Sequence, residues 1–168
     1  MNTQKRQEGF SLIELLIVVA IIGIIAAIAI PNLLASRRAA NEGSAQSSMR
    51  TIHSAEAVYQ STMGNGQFGT LRTADEPAAG QSLQSQSLVD GQLGGGTKSG
   101  YNFAIPVAGL AAGPPATFWG SAVPANVAVA TRTGNRSFAI TEDGVLRGAV
   151  SDTVADRATA LAMNPVGN

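Results

Sequence analysis

The sequence contains no cysteine, so no disulfide constrains the fold and thiols give no information about the redox compartment. Charged residues make up only 13% of the chain, and the 11 basic side chains balance the 11 acidic ones. A near-neutral chain gives no electrostatic reason to expect nucleic-acid binding. Aromatic residues are also few, at 5%, and none lies between Phe10 and Tyr59. That stretch therefore offers no continuous path of stacked rings.

Residue patterns that support catalysis or metal binding are lacking as well. His53 is the only histidine and has no cysteine or paired carboxylate beside it in the sequence, which favours a packing or surface role. Gly94-Gly95-Gly96 does not lead from a strand into a helix, as a phosphate-binding loop would. Glu142-Asp143-Gly144 is more typical of a tight turn than of a calcium loop, which stays the minor alternative. The sequence predicts no enzyme activity, no cofactor and no metal site.

The dominant feature present is an apolar run from Phe10 to Ser36, in which Glu14 is the only charged residue. A helix over this run is about 40 Å long, enough to cross a hydrocarbon core about 30 Å thick. A carboxylate inside a spanning segment costs about 3 kcal/mol, so such a group is usually kept for a partner. The run therefore predicts a membrane anchor that is also an assembly surface.

The residues around this carboxylate resemble those of a known family. Gly9-Phe10-Ser11-Leu12-Ile13-Glu14, after a short leader with Lys5 and Arg6, closely resembles the N-terminus of type IV prepilins and type II secretion pseudopilins. The apolar run and the Pro31-Asn32 that ends it match this family too. The resemblance is strong over residues 1–63. Over the C-terminal part it rests on the strand pattern alone.

The resemblance implies how the first residues are processed. A prepilin peptidase would cut between Gly9 and Phe10 on the cytoplasmic side, and the new α-amine of Phe10 would then be methylated. Glycine suits such a site because the missing side chain lets a protease approach the backbone. Glu14 would serve subunit assembly by neutralising the amine of a neighbouring subunit.

Charge alone leaves the membrane topology open. Lys5 and Arg6 favour a cytoplasmic N-terminus, but Arg37 and Arg38 flank the other end of the run. The leader is not part of a conventional secretory signal, since the apolar run that follows it is far too long. The resemblance implies a single pass through the bacterial inner membrane with the N-terminus in the cytoplasm.

Helical signals continue beyond the anchor. An apolar stripe at helical spacing comprises Ala45, Met49, Ile52, Ala55 and Tyr59. The opposite face is polar and comprises Arg37, Arg38, Asn41, Glu42, Gln46, Ser47, Arg50 and Ser54. Gly64-Asn65-Gly66 is a helix stop. We therefore expect one helix from Phe10 to about Met63, broken or kinked at Pro31, which removes a backbone donor.

The second half of the chain predicts an antiparallel sheet of three or four strands whose aromatic face covers the stripe. The candidate strands are Tyr101–Val107, Phe118–Val123, Ser137–Thr141 and Val145–Arg147. Before them, the connector contains Leu83, Leu88, Val89 and Leu93, which could form short turns against the core. Residues 126–133 form a connecting turn or another short strand, and the tail from Ser151 is a short helix or frayed.

The expected fold class is α+β, with a long N-terminal helix packed on a small antiparallel sheet. The expected segments are a leader (1–9), an anchor (10–35) and a head (36–168), which comprises a helix half (36–63), a connector (64–99), strands (100–148) and a tail (149–168).

The resemblance implies a structural subunit of a type IV pilus, a filament used in adhesion and twitching motility. Its partners would be further copies of itself, the prepilin peptidase and methylase, the assembly machinery and the inner membrane. Its final location would be an extracellular pilus or a periplasmic pseudopilus. A type II secretion pseudopilin or a minor pilin is the alternative within the family. A signal-anchored periplasmic enzyme or solute-binding module is the alternative from another class.

Overall fold

The computed structural model describes residues 10–75, 80–106, 116–129, 131–154 and 156–166. The chain divides into two compact units, and the boundary between them falls between Ser36 and Arg37. The helices are α1 (Leu12–Thr62), a 3-10 helix (Thr73–Asp75), α2 (Gly91–Gly94) and α3 (Arg157–Ala162). The strands are β1 (Thr97–Lys98), β2 (Tyr101–Ala104), β3 (Trp119–Pro124), β4 (Ser137–Thr141), β5 (Arg147–Ala149) and β6 (Asn164–Pro165).

Helix α1 has 51 residues and agrees with the predicted range to within two residues at its start and one at its end. Its first half is apolar and long enough to cross a membrane. Secondary structure continues through Pro31, so the expectation of a helix break there is wrong. Asn32 Nδ2 donates to the Ile28 carbonyl oxygen at 3.1 Å, one turn earlier in the same helix. A bend at Pro31 stays a prediction.

The helix ends where the Gly-Asn-Gly sequence predicted it would. The Gly64 amide donates to the Tyr59 carbonyl at 2.7 Å, and the Gly66 amide donates to the Gln60 carbonyl at 3.0 Å. Asn65 and Gly66 have φ angles of 48° and 84°, in the left-handed region that glycine and asparagine adopt most readily. These bonds occupy the last carbonyls of α1 and turn the chain away from the helix axis.

In the described residues, six strands form one antiparallel sheet and lie in chain order from β1 to β6. The predicted number of strands, three or four, was therefore too low. The additional strands β1 and β6 have two residues each, too few to produce an alternating pattern in the sequence. Strand β2 ends at Ala104, because Pro106 cannot donate to a ladder; Val107 lies outside the described residues.

The last predicted hairpin is shifted by two residues. Strand β5 covers Arg147–Ala149 rather than Val145–Arg147, and Ala139 pairs with Arg147. The cause is the preceding turn, in which Asp143 Oδ1 accepts the Val145 amide at 3.0 Å and so keeps Val145 out of the ladder.

The core lies between the stripe of α1 and one face of the sheet, as predicted. Tyr101, Phe103 and Ile105 are buried, whereas Asn102 and Ala104 between them are exposed. The other large side chains in this cluster are Met49, Ile52, Tyr59, Leu71, Leu83, Leu93, Phe118, Phe138, Ile140 and Leu146. Strict alternation along β2 therefore identified the buried face correctly.

The connector and the tail are held by capped short helices. Asp90 Oδ1 accepts the Gln92 and Leu93 amides at the start of α2, which brings Leu93 into the core. Asp156 caps α3 through the Thr159 amide at 2.7 Å. Two residues near the end of the tail, Ala160 and Met163, pack in a second cluster on β3 and β4 residues. The tail therefore contains a short helix, the first of the two options that the sequence left open.

Removing either core ring of β2 should cost about 3–5 kcal/mol of unfolding free energy, since large-to-small core changes lose both burial and packing. We expect this for Tyr101→Ala and for Phe103→Ala in the head freed of residues 10–35, which should fold alone. Tyr101→Phe is the matched control, because it removes only the hydroxyl that donates to the Arg136 carbonyl at 2.8 Å. Thermal melting unchanged in either alanine variant would contradict the assigned core.

Candidate assembly segment and the helix-to-head contacts

The residues expected to take part in cleavage, methylation and subunit assembly lie at or just before the start of α1. Gly9 lies outside the described residues; Phe10 precedes the helix, and its side chain is 90% exposed. The Ser11 amide donates to Glu14 Oε2 at 2.9 Å. Because Ser11 is the residue before the helix and Glu14 is its third residue, this is the reciprocal half of a capping box. The carboxylate therefore caps its own helix in the isolated subunit.

The apolar side chains of the anchor are exposed on every side of the helix. Exposure of the large ones falls between 37% at Leu34 and 90% at Phe10. They are Phe10, Leu12, Ile13, Leu15, Leu16, Ile17, Val18, Val19, Ile21, Ile22, Ile24, Ile25, Ile28, Ile30, Leu33 and Leu34. A helix that is apolar all round is stable only when lipid or other helices cover it. The geometry therefore requires either a membrane or a bundle of such helices around this segment.

A shallow hollow lies on the side of the helix at the start of this surface. It is lined by Phe10, Glu14, Leu15, Ile17 and Val18. The carboxylate is the only ionisable group among these lining residues. A cationic group that entered the hollow would therefore meet one acceptor in an apolar surround, where charge pairs are strong.

The polar face of α1 just after the anchor is hydrogen-bonded to the segment that precedes β4. Asn41 Nδ2 donates to the Thr133 carbonyl at 2.8 Å. The Asn135 amide donates to Glu42 Oε1 at 2.8 Å, and Arg136 Nε donates to Glu42 Oε2 at 3.3 Å. These contacts join the helix to the segment before β4, which is more than ninety residues away in the sequence. No local pattern could have indicated them.

A second carboxylate is buried where the sequence had suggested only apolar packing. Glu56 is fully buried, and its Oε2 accepts the Gly69 amide at 3.0 Å. Its other oxygen, Oε1, has no hydrogen-bond partner among the residues that the structure describes. Burial raises the pKa of Glu56 to about 8, and the bond from the Gly69 amide lowers it in part. The spacing of Glu56 from Ile52 and Tyr59 already placed it on the stripe, a signal that the sequence analysis missed.

His53 and Asp143 take the structural roles that the sequence favoured. The His53 ring is half-buried, 6.2 Å from the Phe118 ring, which is a packing position. Asp143 accepts hydrogen bonds from Arg147, from the Thr141 hydroxyl and from the Val145 amide. The Arg147 guanidinium holds the pKa of Asp143 well below its usual range. Its oxygens are therefore occupied by protein donors, as in a turn.

Comparison with known proteins gives a family-model match at the N-terminus and matches to several related proteins. Residues 4–30 match the family model described as the prokaryotic N-terminal methylation motif. The type IV major pilin protein PilA of Myxococcus xanthus is 45% identical over 54 residues, which cover 32% of this chain and 24% of that protein. The type IV wide pilus major component PilA4 of Thermus thermophilus is 63% identical over 38 residues, 23% of this chain and 29% of that protein.

A secretion protein matches in the same way. The type II secretion system core protein G of Aeromonas hydrophila is 33% identical over 57 residues, which cover 34% of this chain and 40% of that protein. The chain thus spans between a quarter and two fifths of the length of these relatives. No solved structure matches the chain. Residues 4–30 therefore carry the prokaryotic N-terminal methylation motif, the described residues have an α+β, pilin-like architecture, and over about a third of its length or less the chain is similar to type IV pilins and to a type II secretion core protein.

Proposed function

We propose that this chain is a structural subunit of a type IV pilus. The observation that carries the proposal is the first half of α1, whose apolar side chains are exposed on all sides and whose only charged residue up to Ser36 is Glu14. Before assembly the inner membrane covers this surface; in a filament the same helices of neighbouring subunits cover it. The head then lies outside a core of packed helices, and catalysis has no part in the function.

The matches to two major pilins support this reading. A pseudopilin of a type II secretion system is the second candidate, and the match to core protein G is what favours it. Both candidates use the anchor in the same way. They differ in whether the polymer extends from the cell surface or stays in the periplasm.

Electron microscopy of cells with and without the gene tests the proposal. A major pilin is required for surface filaments, so deletion should remove them, and expression of the wild-type chain should restore them. Filaments that persist after deletion, together with a loss of protein secretion, would support the pseudopilin instead. Normal filaments and normal secretion after deletion would contradict both candidates.

We further propose that the mature chain begins at Phe10 with a methylated α-amine. A bulky residue at the cleavage position should block the approach of the peptidase, so Gly9→Phe should accumulate uncut but remain in the membrane. Gln7→Phe places the same ring two residues earlier and should be cut normally. Mass spectrometry of the N-terminal peptide measures both results. Surface filaments that retain Met1 would contradict the cleavage.

A further inference from the structure

An apolar loop between β3 and β4 is exposed to solvent. Val127, Ala128 and Val129 are consecutive and all exposed, Val129 to 88%. The Thr133 amide donates to the Asn126 carbonyl at 3.0 Å and so closes the base of the loop. We call residues 126–129 and 131–133 the valine loop; Ala130 lies outside the described residues. Consecutive apolar side chains held in water on a closed turn are unfavourable unless something covers them.

The loop lies beside the part of α1 that directly follows the anchor. The Thr133 carbonyl accepts from Asn41 Nδ2 at 2.8 Å, and the Arg132 carbonyl accepts from Arg38 Nε at 3.3 Å. Arg38 and Asn41 follow the boundary after Ser36 within about 8 Å along the helix. The base of the valine loop is therefore fixed close to the point where the chain leaves its spanning segment.

Basic groups surround this position. Arg37 is exposed, Arg38 is half-buried, and Arg132 in the loop forms an ion pair with Asp152. Two residues before Asp152 in the sequence lies another exposed apolar residue, Val150, at 80% exposure. Apolar side chains flanked by arginines suit a phospholipid surface, because the apolar groups enter the interface and the guanidinium groups meet the phosphates.

We propose that, while the subunit is still held in the membrane, the valine loop inserts into the headgroup layer of the leaflet from which the head emerges. The inference rests on the proposed function, which places the anchor in a bilayer before assembly. Continuity with the anchor selects lipid as the occupant: the bilayer surface is present wherever the anchor is inserted. A second copy of the chain is present only after assembly. Extraction into a filament must then release the loop as well as the anchor.

The absence of cysteine permits a clean test by single-site labelling. Full-length Val129→Cys, carrying an environment-sensitive fluorophore, is reconstituted in vesicles of phosphatidylethanolamine and phosphatidylglycerol that contain spin-labelled lipid quenchers. Ser61→Cys is the matched control, since Ser61 is exposed on α1 about 30 Å beyond Asn41 along the helix. Ile22→Cys within the anchor reports insertion itself. We expect the Val129 label to shift to the blue and to be quenched several-fold more than the Ser61 label.

The outcomes separate this inference from the proposed function. If the Ile22 label is quenched but the Val129 label behaves like the Ser61 label, the loop proposal is overturned and the anchor stands. If the Ile22 label is also not quenched, both the loop proposal and the proposed membrane anchor are wrong. A Val129 label that is accessible to aqueous iodide in vesicles but shielded in assembled filaments also overturns the proposal, in favour of a neighbouring copy. Adding Val127→Ser to the labelled variant should reduce the quenching if the loop inserts.

Discussion

Replacing Glu56 with glutamine should stabilise the head by about 3 kcal/mol at pH 7 and have little effect at pH 4. The carboxyl group is fully buried, and within the described part of the chain one of its oxygens has no hydrogen-bond partner. Burial raises its pKa from 4.5 to about 8. Glutamine has nearly the same shape, can still accept the Gly69 amide through its oxygen, and carries no charge at any pH. It therefore removes the cost of keeping a carboxyl group in this position.

The sign of the pH dependence follows from proton uptake. Between pH 4.5 and about 8 the folded head binds a proton at Glu56 that the unfolded chain releases. The stability of the wild-type head is therefore fully present below pH 4.5, falls as the pH rises through this window, and levels off above it. The stability of the glutamine variant does not show this decrease as the pH rises.

Urea unfolding of the head at pH 4, 6 and 8 measures both curves. The difference in unfolding free energy between Glu56→Gln and wild type should grow steadily with pH. Glu42→Gln is the control, because Glu42 is half-buried and already bonded to Asn135 and Arg136. Glu42→Gln should leave the decrease in stability with rising pH in place. Parallel curves for wild type and Glu56→Gln would show that the carboxyl group is ionised in the folded head.

The parts of the fold that could be predicted from the sequence are those set by local periodicity. The stripe through Met49, Ile52 and Tyr59 repeats at helical spacing, and β2 alternates at every residue, so both identified their buried faces. The segment Gly64-Asn65-Gly66 ended the helix because those residues accept left-handed φ angles. In each case the structure is set by residues that are close to one another in the sequence.

The features that the sequence analysis missed depend mainly on distant contacts. Glu42 sits on a polar helix face typical of a solvated surface, yet its partners Asn135 and Arg136 come from the segment before β4, more than ninety residues away in the sequence. Strand β6 has only two residues, and it forms by pairing with the open edge of β5. At the assembly segment, by contrast, the bond from Ser11 to Glu14 was available from the Ser-x-x-Glu spacing alone.

Replacing Glu14 with glutamine should leave cleavage and membrane insertion intact but yield few or no filaments. We propose that the carboxylate of an assembled subunit neutralises the α-amine of an incoming Phe10 inside the apolar helix bundle. With glutamine in its place, that amine is buried without an opposite charge. Leaving one buried charge unpaired costs about 3 kcal/mol or more, which weakens each subunit addition about a hundredfold.

The capping bond at the start of α1 makes glutamine the informative substitution. The Ser11 amide donates to Glu14 Oε2 in the single subunit, and a glutamine oxygen can accept the same bond. Glu14→Gln therefore removes the charge but retains the cap, whereas Glu14→Ala removes both. If the charge pair drives assembly, both variants lose filaments, as judged by electron microscopy and by the yield of sheared filaments. If only the cap matters, Glu14→Gln assembles like wild type and Glu14→Ala does not, and the proposed pairing with Phe10 is wrong.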